Sequence, residues 1–322
     1  MVAYYPPITL TDDDSVVAAG AWACRVALFS AGLIVTAIGM HRLFGMPTLV
    51  ALNIVKVAFA GAGTAILLGG VAFLQIWWQG RGGAFAAWVG VLIGLAIFAW
   101  PAFYIPTLAT LPEINDVTTD PRAPPPFVAL AKLRGAGANS ALYPGEAFAR
   151  QQAAAYPDVR PFIVDRSAEE TFELVAEAVR RLKLRVVSEQ PPRARPGRPG
   201  MIEAVDRTLI VGFYDDVVIR VEGDQKRARI DVRSASRFGS HDLGRNASRV
   251  RKILKEVHAR LEATVPAASG GRIVRLKPRP RKTAVPNRPK GGDQMSVTPR
   301  TGQDRVQSDA QRGLVQKAKP RL

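Results

Sequence analysis

The densest group of side chains able to do chemistry lies between residues 215 and 246: Asp215, Asp216, Arg220, Asp231, Arg233, Ser234, Ser236, Arg237, Asp242 and Asn246. Three uses fit these residue types. Carboxylates held a few ångströms apart can divide acid and base roles, and arginines beside a helix start make a receptor for carboxylate or phosphate. The same charges can also pair across neighbouring strands, with Asp242 capping the helix that follows and Asn246 bonding nearby backbone. Adjacent Asp215 and Asp216 point to opposite faces of a regular strand, so they are no acid and base pair. Asp216 with Asp231 is the better pair, on one charged face. Structural ion pairing is the preferred reading and an anion or polar-ligand site the second.

Other chemistries find less. Ser236, His241 and Asp242 hold the residue types of a hydrolase triad, but neighbours in sequence seldom reach the relay geometry, and no nucleophile elbow is present. The three histidines, His41, His241 and His258, share no i, i+4 spacing, and the single cysteine, Cys24, builds neither a disulfide nor a cysteine-based metal cluster. Neither a dinucleotide fingerprint nor a phosphate-cradling Gly-Lys-Ser/Thr loop occurs. The reading is no catalytic residue, no metal and no cofactor.

Strands and helices must position the cluster. Pro161 to Asp165 reads as a short strand, and apolar Phe172, Val175, Ala176, Val179 and Leu182 make Ala168 to Leu182 helical. Leu184 to Ser188 is a second strand, and Pro191 to Gly200 is a loop rich in proline and arginine. Three strands follow, about Met201 to Leu209, Val211 to Glu222 and Arg227 to Arg237, the last two joined at Gly223 and Asp224. Val217, Ile219 and Val221 alternate with Asp216, Arg220 and Glu222, and Ile230 and Val232 with Arg229, Asp231 and Arg233, giving one core face and one charged face. A last helix runs from about Leu243 to Thr264 with Asp242 as N-cap, its apolar face formed by Val250, Ile253, Leu254, Val257 and Leu261, and Arg249 mostly off it. Two helices on the apolar face of an antiparallel sheet make a two-layer α+β domain over residues 139–266.

Ahead of this domain lie three apolar segments, about 20–44, 57–78 and 84–108, each long enough to cross a bilayer. Asp12 to Ser15 offer caps for the first, Trp77 and Trp78 close the second at an interface, and Pro101 and Pro106 kink or end the third. Small residues in the second, Ala58, Gly61, Ala62, Ala65, Gly69 and Gly70, permit close helix contact. Of the polar and ionisable residues only Arg25, Asn53 and Lys56 approach the bilayer, all near segment ends where snorkelling is the default, so the helices read as an anchor and not a transport path. Residues 1–15 precede them. Residues 111–138, with Pro112, Pro121, Pro124, Pro125 and Pro126, read as an extended connector. Residues 267–322 read as a disordered basic tail: from 266 onward there are 14 Lys/Arg against 3 Asp/Glu, a net charge of +11. Without aromatic side chains this tail has no stacking platform for bases.

Several stretches resemble the domain of unknown function 1499 family: Ile114 to Pro121 with Pro125 to Phe127, Tyr143 to Gly145, Ala155 to Asp158, Gly212 to Arg220, and Arg229 to Arg237 continuing through Gly239, Asp242, Gly244, Asn246 and Arg249. The resemblance covers about residues 111–262. It implies a fold and, through membrane-attached bacterial members and lumenal plant relatives, an extracytoplasmic domain, but it supplies no activity.

The combined expectation is a multi-pass protein of the bacterial inner membrane, its α+β domain outside the cytoplasm. It would bind or organise an unknown target without catalysis, its partners being the lipid bilayer and an unknown ligand or protein. One alternative is a membrane-bound enzyme using Asp216, Asp231 and Arg233. The other is a cytoplasmic domain whose tail binds anionic lipid or nucleic acid. Nothing in the residues sets an oligomeric state.

Overall fold

The structure, a computed structural model, describes residues 17–193 and 197–265 and the residue pair Val274–Arg275. Three long helices open it: α1 (Ala18–Phe44), α2 (Thr48–Gln79) and α3 (Ala84–Ala102), the last continued by the short α4 (Ile105–Thr110). They are long and apolar enough to cross a membrane. Helix α2 has 32 residues, about 48 Å at 1.5 Å per residue, against about 30 Å of hydrocarbon. It starts well before the uncharged run expected from residue 57. Pro101 ends α3, and Phe103 and Tyr104 form the break before α4, the interruption expected there. The expected caps at Asp12 to Ser15 fall outside the described residues, and the helix begins after Val17, whose side chain makes no capping bond.

The three helices meet through small residues. Ala23 and Ala27 of α1, Ala58, Ala62, Ala65 and Gly69 of α2, and Ala87, Gly90 and Gly94 of α3 are buried, while large residues such as Leu67 and Phe85 point outward. A Cβ on Gly90 would lie 2.5 Å from the carbonyl carbon of Ala23 and 2.7 Å from the amide of Cys24, so α1 and α3 approach backbone to backbone there. Gly61 also serves the packing, against Ser30, whereas Gly70 faces open space.

The α+β domain is built from β1 (Asp116–Thr118), α5 (Ala129–Lys132), α6 (Glu146–Ala155), β2 (Phe162–Val164), α7 (Ala168–Arg181), β3 (Arg185–Gln190), β4 (Gly200–Arg207), β5 (Tyr214–Gly223), β6 (Ala228–Ser236) and α8 (Arg245–Glu262). A further pair, β7 (Thr264–Val265) and β8 (Val274–Arg275), follows; β8 lies in the stretch read as a tail, and residues 276–322 are outside the description. The sheet is antiparallel in the order β1-β6-β5-β4-β3, with β2 beside β1 on the free edge of β6. Helices α7 and α8 pack on the face carrying Val217, Ile219, Val221, Ile230 and Val232, as the alternation predicts.

Two expectations require correction. The stretch 111–138 is not only an extended connector: Asp116–Thr118 pairs with Ala235, Ser234 and Arg233 as a sheet strand. The charged face is not open to water either. The chain from Asp120 to Tyr143, with α5, lies across it and encloses a second small core of Phe127, Leu130, Val205, Val218 and Ala235. The sheet is therefore covered on both sides.

Candidate functional site

Because side chains alternate along a strand, β5 and β6 deliver the cluster to two opposite faces. On the face away from α7 and α8 the charges form three successive knots. At one end Asp231 accepts from Arg220 at 2.8 Å and from Arg229 at 3.1 Å, and Asp120 receives the same two arginines at 3.2 and 2.7 Å. In the middle Arg233, 2 % exposed, makes a two-nitrogen contact with Asp116, donates to the carbonyls of Pro125 and Ala141, and lies over the rings of Phe127 and Tyr143. At the other end Asp216, fully buried, accepts from Arg134 and Arg237, both at 2.8 Å.

The electrostatics follow burial. Loss of water holds the Asp116 carboxyl above its usual range although Arg233 opposes the shift. Burial also pushes Asp120 upward but is outweighed by the amides of Ala123 and Arg122 and the charges of Arg229 and Arg220, leaving it below the usual range. The Tyr143 phenol is pushed up to about 12 by burial, with Asp116 adding to the shift.

The other face holds a fourth knot, under α8. Arg249 donates to Asp206 at 2.7 Å, Asp215 at 2.6 Å, Ser234 at 2.9 Å and Asn246 at 2.8 Å. Asn246 donates in turn to Ser236 and to the carbonyl of Asn115. Asp242 accepts from the amides of Gly244 and Asn246, both at 2.8 Å, so it serves the helix start as expected. The formal cap is Gly244, and α8 begins two residues later than the sequence indicates. Burial holds the Asp242 carboxyl above its usual range.

The structure thus separates what the sequence grouped. Asp215 and Asp216 do face opposite ways. Asp216 and Asp231 share a face but lie four residues apart along the sheet, about 13 Å at 3.3 Å per residue, with the Arg233 knot between them. His241 takes the amide of Leu243 on Nδ1 and faces the carbonyl of Leu111 with Nε2, so neither nitrogen serves Ser236 or Asp242. No group of three or more His, Cys, Asp or Glu side chains is placed to hold a metal ion among the described residues.

Seven contributors lie outside the cluster read from sequence. Asp116, Asp120 and Arg134 reach the outer-face knots from far along the chain, Arg229 joins them from β6, and Arg249 with Asp206 completes the knot under α8. Glu203, 2 % exposed, accepts the amides of Val128, Ala129 and Leu130 and so holds the start of α5 against the sheet. Its one visible signal is a carboxylate inside the apolar run of β4.

A second locus lies where the domain meets the long helices. Arg207 donates to the carbonyls of His41 and Arg42 at the end of α1 and to Gly212, and stacks over Tyr214. Arg42 answers with a 2.9 Å bond to the carbonyl of Thr208. A cation at a helix C-terminus meets unpaired carbonyls and the negative end of the dipole. Beside this contact is a cavity of about 470 Å³ between Leu52, Trp100 and Tyr104 of the helical region and the β4–β5 loop, reaching Asp215, Ser236, His241 and Asp242 of the domain.

No curated protein and no solved structure matches the chain. A family model does: residues 116–257, which include every strand from β1 to β6 and most of α8, match the one described as protein of unknown function (DUF1499).

Proposed function

We propose that the three long helices anchor the chain in a bacterial inner membrane and hold the DUF1499 domain at its outer surface, where the domain binds or organises a target without catalysis. The observation that carries the non-catalytic reading is the state of the cluster. Asp116, Asp215, Asp216 and Asp231 are each less than 5 % exposed and each bonded to arginine. A general acid or base needs an open approach to substrate and a spare proton site, and a carboxylate saturated by guanidinium offers neither.

Asp231→Asn and Asp216→Asn test this reading. Each is assayed for thermal midpoint in detergent and for rescue of a strain lacking the gene. Rescue should fall only in step with stability, whereas a variant that is stable and yet inactive would overturn the reading. Membrane side is tested by alkaline phosphatase and fluorescent reporters fused in parallel after Thr264, phosphatase activity being the expected result. Fluorescence alone would favour a second reading, with the domain in the cytoplasm and the tail of net charge +11 held on anionic lipid.

A further inference from the structure

We propose that the cavity between the helices and the domain binds one bilayer phospholipid, with the phosphate at Arg245 and the glycerol and upper acyl chains against the β4–β5 loop and the ends of α2 and α3. This rests on the anchored reading above and names its ligand.

Depth comes first. The uncharged run from Val57 to Trp78 is 22 residues, about 33 Å, which fills the hydrocarbon layer. Leu52 lies one turn beyond Lys56 on the domain side, so it sits at headgroup level. Trp100 and Tyr104, at the domain end of α3, occupy the level where amphipathic rings collect. The cavity these three line is therefore at the boundary between acyl chains and headgroups, and two of them, Trp100 and Tyr104, are also exposed on the outside of the bundle.

The opposite wall is unusual for a hairpin loop. Thr208 to Phe213 contains Leu209, Ile210 and Val211, with Leu209 82 % and Ile210 66 % exposed. Such a loop in water would carry polar turn residues. Thr208 instead satisfies the backbone from within, its hydroxyl accepting from the amides of Gly212 and Phe213. The apolar tip is left free to enter lipid alongside the helices, and Arg207 and Arg42 fix its position.

Charge selects the headgroup. Of the charged side chains lining the cavity, Asp215 is bound by Arg249 and Asp242 by two amides. Arg245 is exposed, and its guanidinium forms no hydrogen bond or ion pair among the described residues. It stands in the first turn of α8, where the helix dipole disfavours a cation. A lipid phosphate in the cavity would meet this free guanidinium in the two-pronged geometry that guanidinium favours.

The test uses the full chain in phosphatidylcholine vesicles doped with a phosphatidylglycerol bearing a photoactivatable diazirine near the glycerol. After irradiation, peptides are mapped for label. Label concentrated on segments holding Tyr104 and Ile210, and reduced several-fold by Arg245→Gln and by Ile210→Asp, is the expected result. Both substitutions fall on exposed side chains, and circular dichroism confirms the fold. Label spread evenly along the bundle and unchanged by Arg245→Gln would overturn the lipid site while leaving the anchored reading standing. Release of the chain by alkaline carbonate would instead overturn the anchor itself, and this inference with it.

Discussion

Arg233 is the residue on which the outer face of the sheet turns. Removing its charge by Arg233→Met leaves Asp116 buried without a partner, and breaking a buried ion pair from one side costs about 3–5 kcal/mol. Equilibrium unfolding of the full chain in detergent should show a loss of that size, and a loss near that of an ordinary surface substitution would remove Arg233 from this position. Asp120 gives a pH signature. Its pKa is held below the ordinary value of 3.8, so its stabilisation is fully present above that value and is lost as pH falls through the lowered one. Asp116 runs the opposite way: its pKa is raised, so its contribution declines as pH rises from the ordinary value through the raised one. Asp158 and Asp224 are also held low, so thermal midpoints of Asp120→Asn should show a shallower acid limb than the parent's below the usual carboxylate range; identical profiles would show that Asp120 does not titrate into this network. The partners of these residues were illegible in sequence. Alternating charges look the same whether a strand face meets water or a buried row of counter-charges, and Asp116 lies 117 residues from Arg233.

At the scale of elements, what periodicity encodes was legible. The core face of β5 and β6 and helices α7 and α8 follow from spacing, and the three apolar helices from the length and composition of their runs. Strand β1 was not, because three residues, two of them polar and set between prolines, carry no period. Its pairing depends wholly on β6, and neither the covering of the charged face by residues 120–143 nor the start of α5 on Glu203 has a local pattern to read. Spacing of small residues in α2 did foretell close packing, and the closest approach to another helix's backbone proved to be at Gly90 of α3. Gly90→Val places atoms against the backbone of Ala23 and Cys24, where no side chain can swing aside. Overpacking of this kind costs about 1–3 kcal/mol. A lower melting temperature in detergent, with the neighbouring Gly70→Val tolerated because it faces open space, is the expected contrast; equal tolerance of both would mean that α1 and α3 do not meet at Gly90.

The whole molecule depends on how firmly the domain sits on the helices, since a junction cavity keeps its shape only if its two walls stay in register. The contact is polar at its centre: Arg207 gives two hydrogen bonds to the carbonyls of His41 and Arg42 and a third within the domain to Gly212, Arg42 returns one, and His41 lies buried with its Nδ1 2.7 Å from the carbonyl of Met46 and its ring beside Phe213 and Tyr214. Hydrogen bonds to a charged group contribute about 1.5–3 kcal/mol each when buried. Arg207→Ala removes two of these across the contact and one within the β4–β5 loop, and its only tie to a core is the stacking on Tyr214, so docking should weaken more than domain stability does. Spin labels at Phe85→Cys on α3 and Ile163→Cys on the sheet edge, both exposed positions, report this in a background lacking Cys24. The parent should give one narrow distance distribution and Arg207→Ala a broad one, with unfolding of the sheet little changed. A distribution as narrow as the parent's would place the rigidity elsewhere, in the Leu49 contact against Gly137 or in α4, and would make the β4–β5 loop a passenger on the domain and not part of its attachment.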